Sequence, residues 1–190
     1  MATMKMDCPV CHSKNSANYD TKTTKIPYFG EVMESSILCE VCGFKHSDVM
    51  SLEQHDPTRQ TLKITKDKTS SRVIRSQSAT VSIPEIGIMV EPGPKSEGYV
   101  SNVEGVINRF KDATRKALAL FSDDASQENG NRVLEDLDKV LTGELEVTLI
   151  IEDPFGQSKI MDLETEEVIL SEEEVKKLKT GYTVIDNWKK

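Results

Sequence analysis

Histidine is scarce, and its placement argues against catalysis. The chain of 190 residues holds three, His12, His46 and His55, all before residue 56. An iron oxygenase needs two histidines and a carboxylate around an open metal position. The pair His55-Asp56 is adjacent rather than spaced as H-x-D. A phosphate-binding loop of the form G-x-x-x-x-G-K-[ST] is missing, so the chain is not expected to hydrolyse GTP itself. No arrangement of nucleophile, histidine and acid can be argued from the residues, and no enzyme is expected. Long apolar runs are absent too: none approaches the 18 or so residues of a membrane span. Residues 1–6 (MATMKM) contain no apolar stretch of a secretory signal. A cytoplasmic, reducing setting is the expectation, and there paired cysteines serve more often as metal ligands than as disulfides.

Charge is one-sided. The formal net charge is −8 and the sequence pI about 5.0. Residues 1–60 carry 6 basic and 8 acidic side chains, residues 61–111 carry 8 and 5, and residues 112–190 carry 10 and 19. The last segment would repel a polyanion, so nucleic-acid binding lacks its main driving force there. Residues 1–60 hold two conspicuous aromatics, Tyr28 and Phe29, but no dense basic patch. Hydrophobic residues at 37% and charged ones at 29% describe a soluble folded chain. Its length suits one ordinary domain or two small ones.

What is present begins with four cysteines. Cys8-Pro-Val-Cys11 and Cys39-Glu-Val-Cys42 form two C-x2-C pairs with 27 residues between them. Pairs at this separation point to zinc. Each folds into a tight knuckle with backbone N–H groups directed at sulfur, and two knuckles complete a tetrahedral four-sulfur shell. Pro9 stiffens the first, and Gly43 suits the turn after the second. Four thiolates leave no open position for water, so a single structural Zn²⁺ is expected rather than a catalytic one. Four reduced buried thiols, or a redox dithiol, are the alternatives; the redox motif belongs beside a βαβ unit, which does not fit two copies this far apart. His12 stands beside Cys11 and is read as a surface residue, although it could replace a ligand. His46 and His55 are read as loop or packing residues.

After the cysteines the periodicity is that of short strands. Leu62 and Ile64, then Val73, then Ala79, Val81 and Ile83, then Ile86, Ile88 and Val90 alternate with polar residues. Pro84 interrupts the run, and Glu91-Pro-Gly-Pro94 ends it as a turn. Val103, Val106, Ile107, Phe110, Ala113, Ala117, Leu118 and Phe121 then fall at helical spacing, with Ser101 and Glu104 placed as a capping box. Residues 122–130 (SDDASQENG) read as a polar connector. Val133, Leu134, Leu137, Val140 and Leu141 form a second helical stripe that Gly143 should stop. A helical hairpin at about residues 101–143 is therefore predicted inside a sheet. Strand pattern resumes over residues 145–152, breaks at Asp153-Pro-Phe-Gly156, and returns at Lys159-Ile-Met161. Ser171-Glu-Glu-Glu174 caps a short final helix expected to end near Gly181, after which Val184, Ile185 and Trp188 could pack back on the body.

Three short motifs follow the cysteine pairs in order: Ser82-Ile-Pro-Glu-Ile86, Val103-Glu-Gly105 and Glu152-Asp-Pro-Phe-Gly-Gln-Ser158. With these, the chain resembles the ZPR-type zinc-finger protein family from about Met6 to Met161, in the short, single-module form typical of archaea. Eukaryotic relatives carry the module twice. The resemblance implies a mainly β protein with an α insertion. A zinc ribbon at residues 1–55 would precede a double-stranded β-helix, jelly-roll-like, at residues 56–190 with a helical hairpin inserted. It also implies a binding role. Eukaryotic members bind elongation factor one-alpha, the GTPase that delivers aminoacyl-tRNA, and assist its folding, so the expected partner is the homologue of that factor. The alternative is a zinc ribbon that binds nucleic acid. The chain departs from the family at three places: His12 stands where Gly is frequent, Ser101-Asn102 where Thr-Thr is, and Gln157 where Asn is usual.

The candidate partner contacts are Arg72 and Arg75 in a mildly basic strand region, Glu85 after Pro84, and Asp153 in the Pro-Phe-Gly break. Each also has a plainer reading. Arg72 and Arg75 would lie on a solvated face. Asp153, next to Pro154 and Gly156, would cap backbone N–H groups in a turn, and Glu85 divides in the same way. The acidic runs at residues 164–167 and 172–174 read as solvated surface.

Overall fold

The computed structural model describes residues 2–26, 30–52, 55–94, 96–121 and 123–180. Val184, Ile185 and Trp188, expected to pack on the body, and Gly181, Tyr28 and Phe29 lie outside the described residues. The chain divides into two units, residues 1–54 and 55–190.

Unit one is a four-stranded antiparallel sheet in the order β1-β2-β3-β4. Its strands are β1 (Ala2–Met6), β2 (Ala17–Ile26), β3 (Gly30–Cys39) and β4 (Lys45–Ser51). The register pairs Met6 with Ala17 and Ala17 with Cys39. The β1–β2 and β3–β4 connections therefore leave the sheet at the same end, and each carries one cysteine pair. These strands had no clear alternation in the sequence, because only Ala17 and Val32 among their described non-cysteine residues are buried apolar side chains.

Unit two contains two sheets. Its strands are β5 (Thr58–Ile64), β6 (Arg72–Arg75), β7 (Thr80–Ile83), β8 (Ile88–Val90), β9 (Tyr99–Asn102), β10 (Val147–Asp153), β11 (Lys159–Met161) and β12 (Glu166–Ile169). One sheet runs β12-β5-β10-β7-β8 and the other β11-β6-β9. Every pairing is antiparallel. This is the jelly-roll arrangement implied by the family resemblance. Strand β10 is central: Val147, Leu149 and Ile151 are buried, while the residues between them are half-buried. Leu62, Ile64, Val73, Val81, Ile83 and Ile160 meet them in one core. Buried Gln60 joins the two sheets; its Oε1 accepts from the Ile160 N–H at 2.8 Å, and its amide donates to Glu167.

Helices α1 (Val103–Leu120) and α2 (Asp124–Thr142) form the predicted hairpin, inserted between β9 and β10. Its base is anchored by Val103, Val106, Ile107 and Phe110 from α1 and Val133, Leu137 and Val140 from α2. Three details differ from expectation. The cap of α1 is Asn102 rather than Ser101: extended at φ −122°, it accepts the Gly105 N–H at 2.8 Å, while Ser101 remains in β9. The predicted polar connector is mostly helix, since Asp123 caps α2 by accepting from the Ser126 N–H. Its polar residues are the exposed first turns of a helix whose apolar stripe begins only at Val133. The distal half of the α1 stripe is not core, since Ala113 and Ala117 are exposed and Phe121, just beyond the helix, is 57% exposed. Gly143 stops α2 as expected. Helix α3 (Glu172–Val175) carries the expected capping box of Ser171 and Glu174 but ends well before residue 181.

A 3-10 turn at Lys66–Lys68 is tied down by Asp162. The Asp162 carboxylate accepts from the Ser71 hydroxyl, the Glu164 N–H and the Lys68 ammonium. These donors, the Ser71 hydroxyl foremost, hold its pKa down to about 2. A carboxylate depressed in the folded state stabilises that state fully above its unfolded pKa, about 4, and loses the contribution as pH falls toward 2. Replacing Asp162 by Asn should therefore make the loss of stability between about pH 4 and pH 2 shallower than in the parent protein, as read by urea titration across that range.

Candidate metal centre

The four cysteines converge at the end of unit one where both connections emerge. Cys8 and Cys39 are buried, Cys11 is half-buried and Cys42 exposed. Their Sγ atoms all lie within 4.8 Å of one another. Cys8 and Cys42 are 3.7 Å apart, and Cys11 and Cys39 are 3.8 Å apart. These distances exclude disulfides, whose sulfurs bond at about 2.05 Å. They match the edge of a tetrahedron: four sulfurs each about 2.3 Å from a central zinc ion stand about 3.8 Å apart.

Both knuckles form because backbone donors are turned toward sulfur. In the first, the N–H groups of Val10 and Cys11 approach Cys8 Sγ at 3.4 and 3.5 Å. In the second, the Cys42 N–H, followed by the Ser16 hydroxyl 3.5 Å away, draws the Cys39 pKa down to about 6. Ser13, by its hydroxyl and backbone, lowers that of Cys11. Cys42 is pushed up to about 12: the Phe44 N–H opposes the rise, which partial desolvation of its sulfur and the crowding of the other three sulfurs produce. Four neighbouring thiolates repel one another, and a divalent cation at their centre removes that conflict. The donor set is thus suited to holding one zinc ion, with every coordination position filled by sulfur. When bound, the ion cross-links the two connections and supplies no open position for substrate.

The residue after each pair turns through the left-handed region. Gly43 has φ +72°, which glycine adopts without steric cost. Its counterpart is His12, at φ +59°. The departure at residue 12 noted in the sequence is therefore a backbone matter. His12 is exposed, and its ring is not among the four-sulfur ligand group.

The structure scatters the other candidate residues over unit two. Asp153 is 1% exposed and caps its own loop. Its carboxylate accepts from the N–H groups of Phe155 and Gln157 at 3.0 and 2.9 Å and from the hydroxyls of Ser78 and Ser158 at 3.1 and 2.7 Å. Glu85 is exposed and accepts twice from Thr148, through its N–H and hydroxyl. Burial opposes this carboxylate's ionisation, but the two Thr148 bonds prevail and its pKa falls below the ordinary value. Arg75 is buried and donates to the Ala79 and Glu97 carbonyls and the Ser96 hydroxyl. Arg72 is exposed on β6. In Val103-Glu-Gly105, a Cβ on Gly105 would stand 2.1 Å from Ser101 Oγ and 3.1 Å from Asn102 Oδ1, so a larger residue would make Ser101 turn away and would crowd the cap. The short motifs thus hold turns and caps together. Sequence reasoning missed Tyr99, Arg109 and Lys116, which line a cleft with Arg75; no motif or spacing marked them.

Fold and site together define a zinc-ribbon protein with a jelly-roll domain. The ZPR1 zinc-finger domain matches residues 1–57, and the ZPR1 jelly-roll domain matches residues 67–180. An uncharacterized ZPR1-like protein of Methanocaldococcus jannaschii is 42% identical over 183 residues, covering 96% of this chain and 92% of that protein. A ZPR1-like protein of Pyrococcus horikoshii is 39% identical over 189 residues, covering 95% and 83%. The zinc finger chaperone zpr1 of Schizosaccharomyces pombe is 32% identical over 144 residues, 72% of this chain but 30% of its own length. The chain belongs to the ZPR1 family.

Two outcomes test the centre. Cys39→Ser should cost most of the bound zinc, measured by elemental analysis, and should unfold the ribbon as read by amide exchange over residues 2–52. Full zinc content and an unchanged melting curve in this variant would refute the four-cysteine set. His12→Gly relieves a left-handed non-glycine residue and should stabilise the ribbon by up to about 1 kcal/mol, read as slower zinc loss to a chelator.

Proposed function

We propose that this chain is a zinc-binding protein-interaction module that binds the homologue of translation elongation factor one-alpha and assists its folding. The observation that carries the reading is the closed four-sulfur centre, which can shape a binding surface but offers no position for reacting atoms. Two further facts support it. The family resemblance extends over both domains, and a relative bears the name zinc finger chaperone. The proposed partner specifically, elongation factor one-alpha, comes from the resemblance to eukaryotic members. Cytoplasmic action goes with that partner. Among the described residues no helix is long and apolar enough to cross a membrane.

Of the four candidate contact residues, Arg72 and Glu85 are exposed and would touch a partner directly. Arg75 and Asp153 are buried and would act by shaping the loops above them. Nucleic acid remains the less favoured partner, because acidic side chains outnumber basic ones nineteen to ten over residues 112–190.

The zinc-loaded protein, mixed with the purified elongation factor homologue and passed over a gel-filtration column, should co-elute with it in at least one state: GDP-bound, GTP-bound or refolding from denaturant. Absence of a complex in all three states would overturn the assignment. Binding to RNA that weakens steeply with added salt would redirect it to nucleic acid.

A further inference from the structure

A cleft of about 390 Å³ opens in unit two between β8, β9 and α1. That volume lies within the range of ordinary ligand sites. Three cations reach it: Arg75, Arg109 and Lys116. Arg109 and Lys116 stand two turns apart on α1 and so share one side of the helix. The Arg109 guanidinium lies over the Tyr99 ring, 4.1 Å from its centre, and that of Arg75 approaches the same ring at 5.9 Å. A guanidinium held over an aromatic face keeps its N–H groups for a carboxylate, which it can meet with two bonds at once.

These charges are only partly offset at home, where the Asp153 carboxylate acts on Arg75. Arg75 is 5% exposed, yet its four hydrogen bonds go to two carbonyls and a hydroxyl, all neutral. Among the described residues neither Arg109 nor Lys116 has an ion-pair partner. Two acids line the cleft, Glu97 and Asp112, and Asp112 is already paired with Arg115 at 3.1 Å. The cleft thus holds surplus positive charge in a chain whose net charge is −8.

The flanks narrow the choice of ligand. Among the described residues β8 pairs with β7 alone and β9 with β6 alone, so each is the outer strand of its sheet there. An outer strand can pair with an added extended segment. Val90 and Ala113 give the cleft an exposed apolar side. A free phosphate would use the cations and leave that side wet.

We propose that this cleft binds an extended acidic segment of a protein partner, one carboxylate seated on Arg109 and Lys116 and a neighbouring apolar side chain against Val90 and Ala113. The proposal rests on the protein-binding reading above and names the chemistry by which that reading selects a partner.

The test uses the full zinc-loaded chain and a fluorescein-labelled octapeptide alternating glutamate and leucine, followed by anisotropy. The glutamate peptide should bind, and its glutamine counterpart should bind at least about tenfold more weakly, since the charge-assisted bonds are lost. The double variant Arg109→Glu, Lys116→Glu should lose at least about tenfold in affinity for the glutamate peptide while keeping the parent's zinc content and melting curve, because both side chains are exposed. Should that variant misfold, Arg109→Gln, Lys116→Gln carries the same expectation. No peptide binding, equal affinity in the variant, or displacement of the peptide by an equal concentration of inorganic phosphate would overturn the proposal. The two readings fail separately. A complex with the elongation factor that persists unchanged in the double variant removes the cleft from that interface and leaves the partner in place. Peptide binding without any factor complex removes that factor and leaves the cleft.

Discussion

The ribbon depends on the bonds between four sulfurs and a metal ion. Among the described residues of unit one, the buried apolar side chains are Cys8, Ala17, Val32 and Cys39, and two of these are ligands. Such a core cannot offset the conformational entropy of ordering some fifty residues. In small zinc modules the ion contributes apparent folding free energy of about 10–16 kcal/mol. The sheet register then does its part by placing both knuckles at one end, through the line Met6, Ala17, Cys39. Metal and register are mutually dependent, because the ion closes the turns and the strands hold the turns in range.

Unit two is stabilised differently. Its core is ordinary apolar packing around β10, whose partners β5 and β7 come from far earlier in the chain. The larger polar groups buried to build it are satisfied internally, whereas the Thr58, Thr80 and Thr165 hydroxyls are buried without a partner. Asp153 draws on two backbone N–H groups and two hydroxyls, and Gln60 spans the sheets. A buried carboxylate without such donors would be costly. Asp153 and Glu85 accept hydrogen bonds that hold their loops, and the Gly105 N–H completes the helix cap.

A second source of binding chemistry lies away from the short motifs. The closed metal centre leaves the ion a structural part. The cleft beside α1 has the opposite character: among the described residues Arg109 and Lys116 have no ion-pair partner. Tyr99 is central to that arrangement, since it collects two guanidinium groups on one ring. The exposed distal half of the helical hairpin shows a similar division, with the base committed to the core and the tip left to solvent.

The four cysteines that the structure gathers were legible in the sequence, because a C-x2-C pair builds its knuckle from local backbone geometry. So were the base of the helical hairpin and strands β5 and β10, because each buries one face and the residues record which; β7 reads as alternating but buries Thr80 and Ser82 along with Val81 and Ile83. Other features were less visible. Strands β1 to β4 carry little alternation, since the metal rather than a core holds them. Asn102 displaced Ser101 as the cap because that choice depends on where β9 ends, which is settled by pairing with β6. The cleft could not be read at all. Arg75 lies on β6, Tyr99 on β9 and Arg109 on α1, and nothing in their spacing relates them. The sequence by itself determined the metal site and the kinds of element present. Only the tertiary structure decided which charges are neutralised and which remain available, because that depends on contacts between residues that the chain brings together from separate strands and a helix.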